Sequence, residues 1–96
     1  VDAADELGET RLSMGDPRGA ERAARAGLVA APGEERLYRI LMRAAAALDS
    51  KPMIERLYCE LLDVLADPDY GIEPAATISA ETITLFNELM GSRRTA

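Results

Sequence analysis

The chain has 96 residues, of which 48% are hydrophobic, and it carries a net charge of −6 with no histidine. That length suits one domain, and the apolar content excludes a disordered chain. The lack of histidine removes the usual general base, the commonest metal ligand and any imidazole pH switch.

A first helix is expected from about Ala3 to Met14, ending at Gly15. Asp16-Pro17 then starts a second helix, with Asp as cap and Pro in the first helical position, running to Ala30 before Pro32-Gly33. Its inward face is expected to hold Ala20, Ala23, Ala24, Gly27 and Leu28. A third helix covers about Glu34 to Leu48, with Leu37, Leu41, Ala44, Ala45 and Leu48 recurring at three- and four-residue steps. Ser50 caps a fourth helix, whose Ile54, Leu57, Tyr58, Leu61, Leu62 and Leu65 form the widest apolar stripe of the chain. Cys59, the single cysteine, admits no intrachain disulfide or thiolate metal cluster and is expected as a buried structural thiol beside Tyr58. Asp67 to Thr77 reads as a structured connection. Ser79 caps a last helix that buries Thr82, Ile83, Leu85, Phe86, Leu89 and Met90 and stops at Gly91. Residues 1–91 therefore make one helical domain, and 92–96 a flexible tail. A chain that starts at Val1 inside a helical pattern reads as a piece of a longer protein. No apolar run approaches the roughly 18 residues of a membrane-spanning helix, and no basic apolar leader precedes the first helix; a cytoplasmic location is expected.

Leu7-Gly8, Ala20 and Pro32 fall at the spacings of the tetratricopeptide repeat. A shift of 34 residues puts Tyr38, Leu41, Met42, Ala45, Ile54 and Tyr58 on the corresponding positions. The expected fold is all-α: a tetratricopeptide-like right-handed helical array of two helix pairs closed by a C-terminal capping helix. Gly8 costs helix stability but lets a paired helix come close. An up-down bundle is the competing arrangement.

Several elements follow one another in a recognisable order. Gly15-Asp16 precedes an alanine-rich helix, then come Pro32 with Glu35, Leu41-Met42-Arg43-Ala44, Tyr58 with Leu61, Leu62 and Leu65, and Gly71-Ile72-Glu73-Pro74 ahead of Thr82, Leu85 and Leu89. From Gly15 to Met90 the chain resembles the bacterial transcriptional activator domain of the Streptomyces antibiotic regulatory protein family and related actinobacterial regulators. The resemblance implies a non-catalytic regulatory, protein-interaction or oligomerisation domain, attached in the longer protein to a separate DNA-binding domain. The alternative is a structural tetratricopeptide-like adaptor in a membrane-associated or signalling protein.

No catalytic constellation, phosphate loop or cofactor fingerprint is present in the sequence, so no cofactor or metal is expected. Arg18, Arg22 and Arg25 share helical spacing, as do Arg36, Arg39 and Arg43. If their faces adjoin they form a basic surface for an acidic protein or a phosphate backbone; otherwise they are solvated faces balanced by Glu21, Glu34 and Glu35. Tyr70, in a connection, is a further candidate partner contact. The expected partner is another protein or a second copy, the latter as a homodimer through helices four and five. Residues 49–90 carry nine carboxylates against only Lys51 and Arg56, which opposes phosphate approach. At about 150 mM salt the chain should show no sequence-selective duplex binding, and submicromolar selective binding would overturn that expectation.

Overall fold

The computed structural model describes residues 2–66 and 78–91 and places them in five α-helices with no strand among the described residues. They are α1 (Asp2–Ser13), α2 (Pro17–Ala30), α3 (Glu35–Ala47), α4 (Lys51–Ala66) and α5 (Ala80–Gly91). The connection at 67–77 and the tail at 92–96, Tyr70 included, lie outside the described residues.

Local chemistry sets the helix ends. After α1, Gly15 takes a left-handed conformation at φ 78°, the Asp16 N–H donates to the Arg11 carbonyl, and the Gly15 N–H donates to that of Leu12. This is the Schellman closure, which satisfies carbonyls the helix leaves open. Asp16 then turns its carboxylate to the Gly19 N–H at 3.0 Å and starts α2, with Pro17 at its first position. The same closure ends α3, with Ser50 N–H donating to the Ala45 carbonyl and Asp49 N–H to that of Ala46. There the left-handed residue is Asp49, at φ 59°, where glycine is commoner. Ser50 Oγ accepts from the Met53 N–H at 3.4 Å and opens α4.

α3 is the centre of the molecule. Leu37, Tyr38, Ile40, Leu41, Met42, Ala44 and Ala45 are all buried on it, so it presents apolar surface in nearly every direction. α1, α2, α4 and α5 each pack against α3; in addition α1 packs on α2, and α4 on α5. No Cα of α2 comes within 8 Å of one in α4, and none of α1 approaches α5 that closely. The extents of 39 × 31 × 19 Å match a slab two helices thick.

Small residues allow the close contacts. A Cβ placed on Gly8 would sit 3.0 Å from Ile40 Cδ1 and Cγ2, so its absence brings α1 down onto α3. Ala20 and Ala24 are fully buried in α2. On the far side, Tyr58 of α4 stacks on Phe86 of α5 with ring centroids 4.1 Å apart and planes inclined by 20°.

Four sequence expectations are corrected. Leu48, expected on the packed face of α3, is 38% exposed, because it follows the last residue of the helix and borders a cleft. Cys59 is exposed, because the buried stripe of α4 is Ile54, Leu57 and Leu61, and Cys59 lies two residues from each of the last two, on the opposite face. Leu62, about 100° round the helix from its buried neighbour Leu61, is 45% exposed, so the wide apolar stripe is only partly covered. In α5, Ile83 is 40% exposed, whereas its neighbour Thr82 is completely buried.

Candidate interaction surfaces

The polar stripe of α3 forms a seam between α1 and α5. Arg36 Nη1 reaches Asp5 of α1 at 3.7 Å while its Nε bonds Glu34 at 3.2 Å, and Arg43 pairs with Glu9 of α1. Arg39 turns the other way and donates to Thr82 Oγ1 of α5 at 3.0 Å. The three arginines share a face of one helix yet straddle two neighbours, as residues three and four apart do when helices flank both sides.

Glu35 anchors the start of α5. Its carboxylate accepts from Ser79 Oγ at 2.8 Å, from the Ser79 N–H at 3.1 Å and from Thr82 Oγ1 at 2.6 Å. Burial by itself pushes the Glu35 carboxyl up. The hydrogen bonds from Thr82 and Ser79 and the charge of Arg39 outweigh it and hold the group below its ordinary value of 4.5. Thr82 thus has every polar valence used although no solvent reaches it, and among the described residues no buried side-chain polar atom lacks a partner. Thr82→Val keeps the shape and removes the hydroxyl's contacts with Glu35, Arg39 and Ser79, so it should cost about 1–3 kcal/mol in thermal or denaturant unfolding. Carbon-detected titration of the Glu35 carboxyl should then move upward. A variant with parental stability and an unmoved titration would show that the contact holds nothing.

Beside this anchor lies an open groove of about 470 Å³ between α3 and α5, bordered by Arg39, Arg43, Glu81, Thr84, Leu85 and Glu88. It mixes both charges over a little apolar surface, which suits a peptide backbone or a polar side chain better than a compact organic ligand.

The arginines of α2 serve a different side. Arg25 donates to Glu60 of α4 at 2.6 and 3.3 Å, and Tyr38 Oη of α3 joins the same carboxylate at 3.0 Å. The hydrogen bond from Arg25 holds the Glu60 carboxyl below its ordinary value against an opposing burial effect, with Tyr38 assisting. The same bond raises the Arg25 guanidinium. Such a half-exposed pair contributes about 0–1 kcal/mol, so it sets the spacing of α2 and α4 more than their stability. Arg18 and Arg22 are exposed and make no ion pair among the described residues. The six candidate arginines are therefore not one continuous patch: Arg36, Arg39 and Arg43 are engaged along the α3 seam, Arg25 bridges to α4, and Arg18 and Arg22 face solvent.

Because Glu35 and Glu60 both have lowered carboxyl values, their contribution is complete above their unfolded value and is lost as pH falls through the folded ones. Stability should therefore decline progressively below about pH 4.5, the ordinary glutamate value. Glu60→Gln, which keeps a weaker hydrogen-bonding group, should flatten that decline in unfolding curves taken across the acid range. An unchanged pH slope would assign the acid sensitivity to other carboxylates.

Among the described residues no group of three or more His, Cys, Asp and Glu is placed to hold a metal ion, and no helix is long and apolar enough to cross a membrane. No protein-family model, curated protein or solved structure matches the chain.

Proposed function

We propose that the chain is a non-catalytic, tetratricopeptide-like interaction domain of a bacterial transcriptional regulator, binding a protein partner. The observation that carries this reading is the packing of α3 between α1 and α5 on one side, with α2 and α4 held apart on the other. A right-handed stack of helix pairs produces next-but-one contacts of this kind, α1–α2 and α3–α4 being the pairs and α5 the closing helix. Such stacks keep a fixed surface along one layer of helices, here α1, α3 and α5, with the groove between α3 and α5 as its accessible part. The regulatory half of the proposal draws its support from the sequence resemblance between Gly15 and Met90, and the non-catalytic half from the absence of histidine and of any catalytic motif.

A transcription reporter tests it. The chain fused to an unrelated DNA-binding domain should change reporter output in a bacterial host. Glu81→Lys with Glu88→Lys, both exposed on the groove, should diminish that change without altering the melting curve. A folded fusion at matched expression that leaves reporter output untouched would overturn the regulatory assignment and favour the structural adaptor.

A further inference from the structure

α2 and α4 run in the same direction. Arg25 meets Glu60, and seven residues earlier on each helix Arg18 and Met53 border the same cleft, so equal steps of about 10 Å separate the two crossings. Arg25 and Glu60 bridge the gap between these helices at one level, and the cleft lies on the side of that bridge toward Arg18, Ser50 and Met53. Its floor is apolar, built from Leu41, Ala45 and Leu48 of the α3 segment with Met53 and Leu57 of α4, and Leu48 is 38% exposed. The cleft encloses about 270 Å³, at the lower edge of the roughly 300 Å³ where small-molecule sites begin, and suits one or two aliphatic side chains of a larger partner.

Arg18 and Glu21 are the charged residues that line the cleft, and the excess of positive charge around it comes from Arg22 and Arg56 beside it. Arg18 stands on the rim, and Arg22 follows it by one turn on the same stripe of α2. Arg56 precedes Glu60 by one turn on the α2-facing stripe of α4. All three are exposed and without an ion pair among the described residues, whereas Arg11, Arg25, Arg36 and Arg43 are each paired and Arg39 bonds Thr82. Glu21 is the carboxylate facing them from α2, while Glu55 lies two residues from both Met53 and Leu57, on the far face of α4. A net-cationic rim over an apolar floor, on a chain of net charge −6, is complementary to apolar anchors flanked by carboxylates.

We infer that the cleft between α2 and α4 docks an acidic amphipathic helix of a protein partner, its aliphatic side chains entering over Leu48 and Met53 and its carboxylates meeting Arg18, Arg22 and Arg56. This inference rests on the reading of the chain as an interaction domain and assigns a second surface, distinct from the groove between α3 and α5, with the chemistry of what it holds. A bare phosphate backbone would satisfy the arginines but leave the apolar floor wet.

The test uses a labelled synthetic helix with leucine at every third or fourth position and glutamate between, titrated onto the whole chain, with a lysine-for-glutamate version as control. The acidic helix should bind at least about tenfold more tightly than the basic one, and its affinity should fall as salt rises. R18E/R22E, at two exposed positions, should lower affinity by about tenfold or more with an unchanged melting curve. R56E should act in the same direction, and backbone chemical shifts should move along α2 and the start of α4. Equal binding of both helices, an unaffected R18E/R22E variant, or a DNA duplex that displaces the peptide would overturn the inference. So would shifts confined to Glu81, Thr84 and Glu88, which would place binding in the α3–α5 groove and leave the proposed function intact. A concentration-dependent dimer with the cleft protected would replace the partner helix with a second copy. The reporter experiment fails independently of all these outcomes, since it does not use the peptide.

Discussion

Leu61→Ala is expected to cost roughly 2–5 kcal/mol, and Leu41→Ala a similar amount. Leu61 has no solvent exposure and Leu41 has 2%; both belong to the single core that joins α2, α3 and α4. Truncation removes three heavy atoms from a close-packed interior, and rigid helices on either side collapse only partly into the void. Domains of this size have only about 5–15 kcal/mol of total stability, so either change consumes a large share. The midpoint of thermal unfolding should fall by roughly 10 °C or more. Leu62→Ala is the internal control. Next in sequence but 45% exposed, it should change stability by less than about 1 kcal/mol. If the Leu61 and Leu62 variants melted together, the facing of α4 described above would be incorrect.

Gly27→Val should detach α1 from the rest of the molecule. A Cβ on Gly27 would lie 2.6 Å from Ala4 Cβ and 2.8 Å from Leu37 Cδ1, well inside van der Waals contact. Leu37 is fully buried and Ala4 is carried on a helical backbone, so neither yields without moving a helix. Overpacking of this sort costs typically about 1–3 kcal/mol, and the branched valine adds two further methyl groups to the clash. Gly27→Ala should be milder, because alanine regains about 1 kcal/mol of helix propensity. Hydrogen exchange should show faster opening of α1 amides in the valine variant while the α4–α5 contact around Tyr58 and Phe86 keeps its protection. Uniform loss along the whole chain would mean that α1 unfolds only with everything else. A parental melting curve would show that α2 and α1 have room that the close approach at Gly27 denies.

The helix boundaries were legible because they depend on neighbouring residues alone. Gly15-Asp16-Pro17 stops one helix and starts the next, and Ser50 caps α4, within hydrogen bonds spanning three to five residues. The buried face of α3 was readable from the three- and four-residue recurrence of Leu37, Leu41, Ala44 and Ala45, but Leu48, which continues that recurrence, lies past the helix end and is exposed. Periodicity was less informative in α4 and α5, where apolar residues occur nearly all round the helix. Leu62 and Ile83 satisfy the pattern, but α4 and α5 are each covered on one part of their circumference only, so those side chains reach solvent. Cys59 was expected inside because it adjoins Tyr58; adjacent residues point about 100° apart, and only the partners of α4 reveal which direction is inward.

The candidate surfaces divide the same way. Arginines at helical spacing were visible in the sequence, yet their roles diverge once neighbours are present: Arg25 spans to α4, Arg36 and Arg43 to α1, Arg39 to α5. The anchor formed by Glu35, Ser79 and Thr82 had no sequence signal beyond a capping serine, since its partners are 44 and 47 residues apart. By itself the sequence determined an all-helical chain, the positions of its turns, a small-residue interior and an acidic balance, because capping, periodicity and charge are local or additive. The tertiary structure alone decided which side of each helix is covered, which carboxylate each arginine meets and where a cleft stays open. Those outcomes depend on the separation and direction of helices distant in sequence, and α2 and α4 share a cleft only because both pack on α3 without packing on each other.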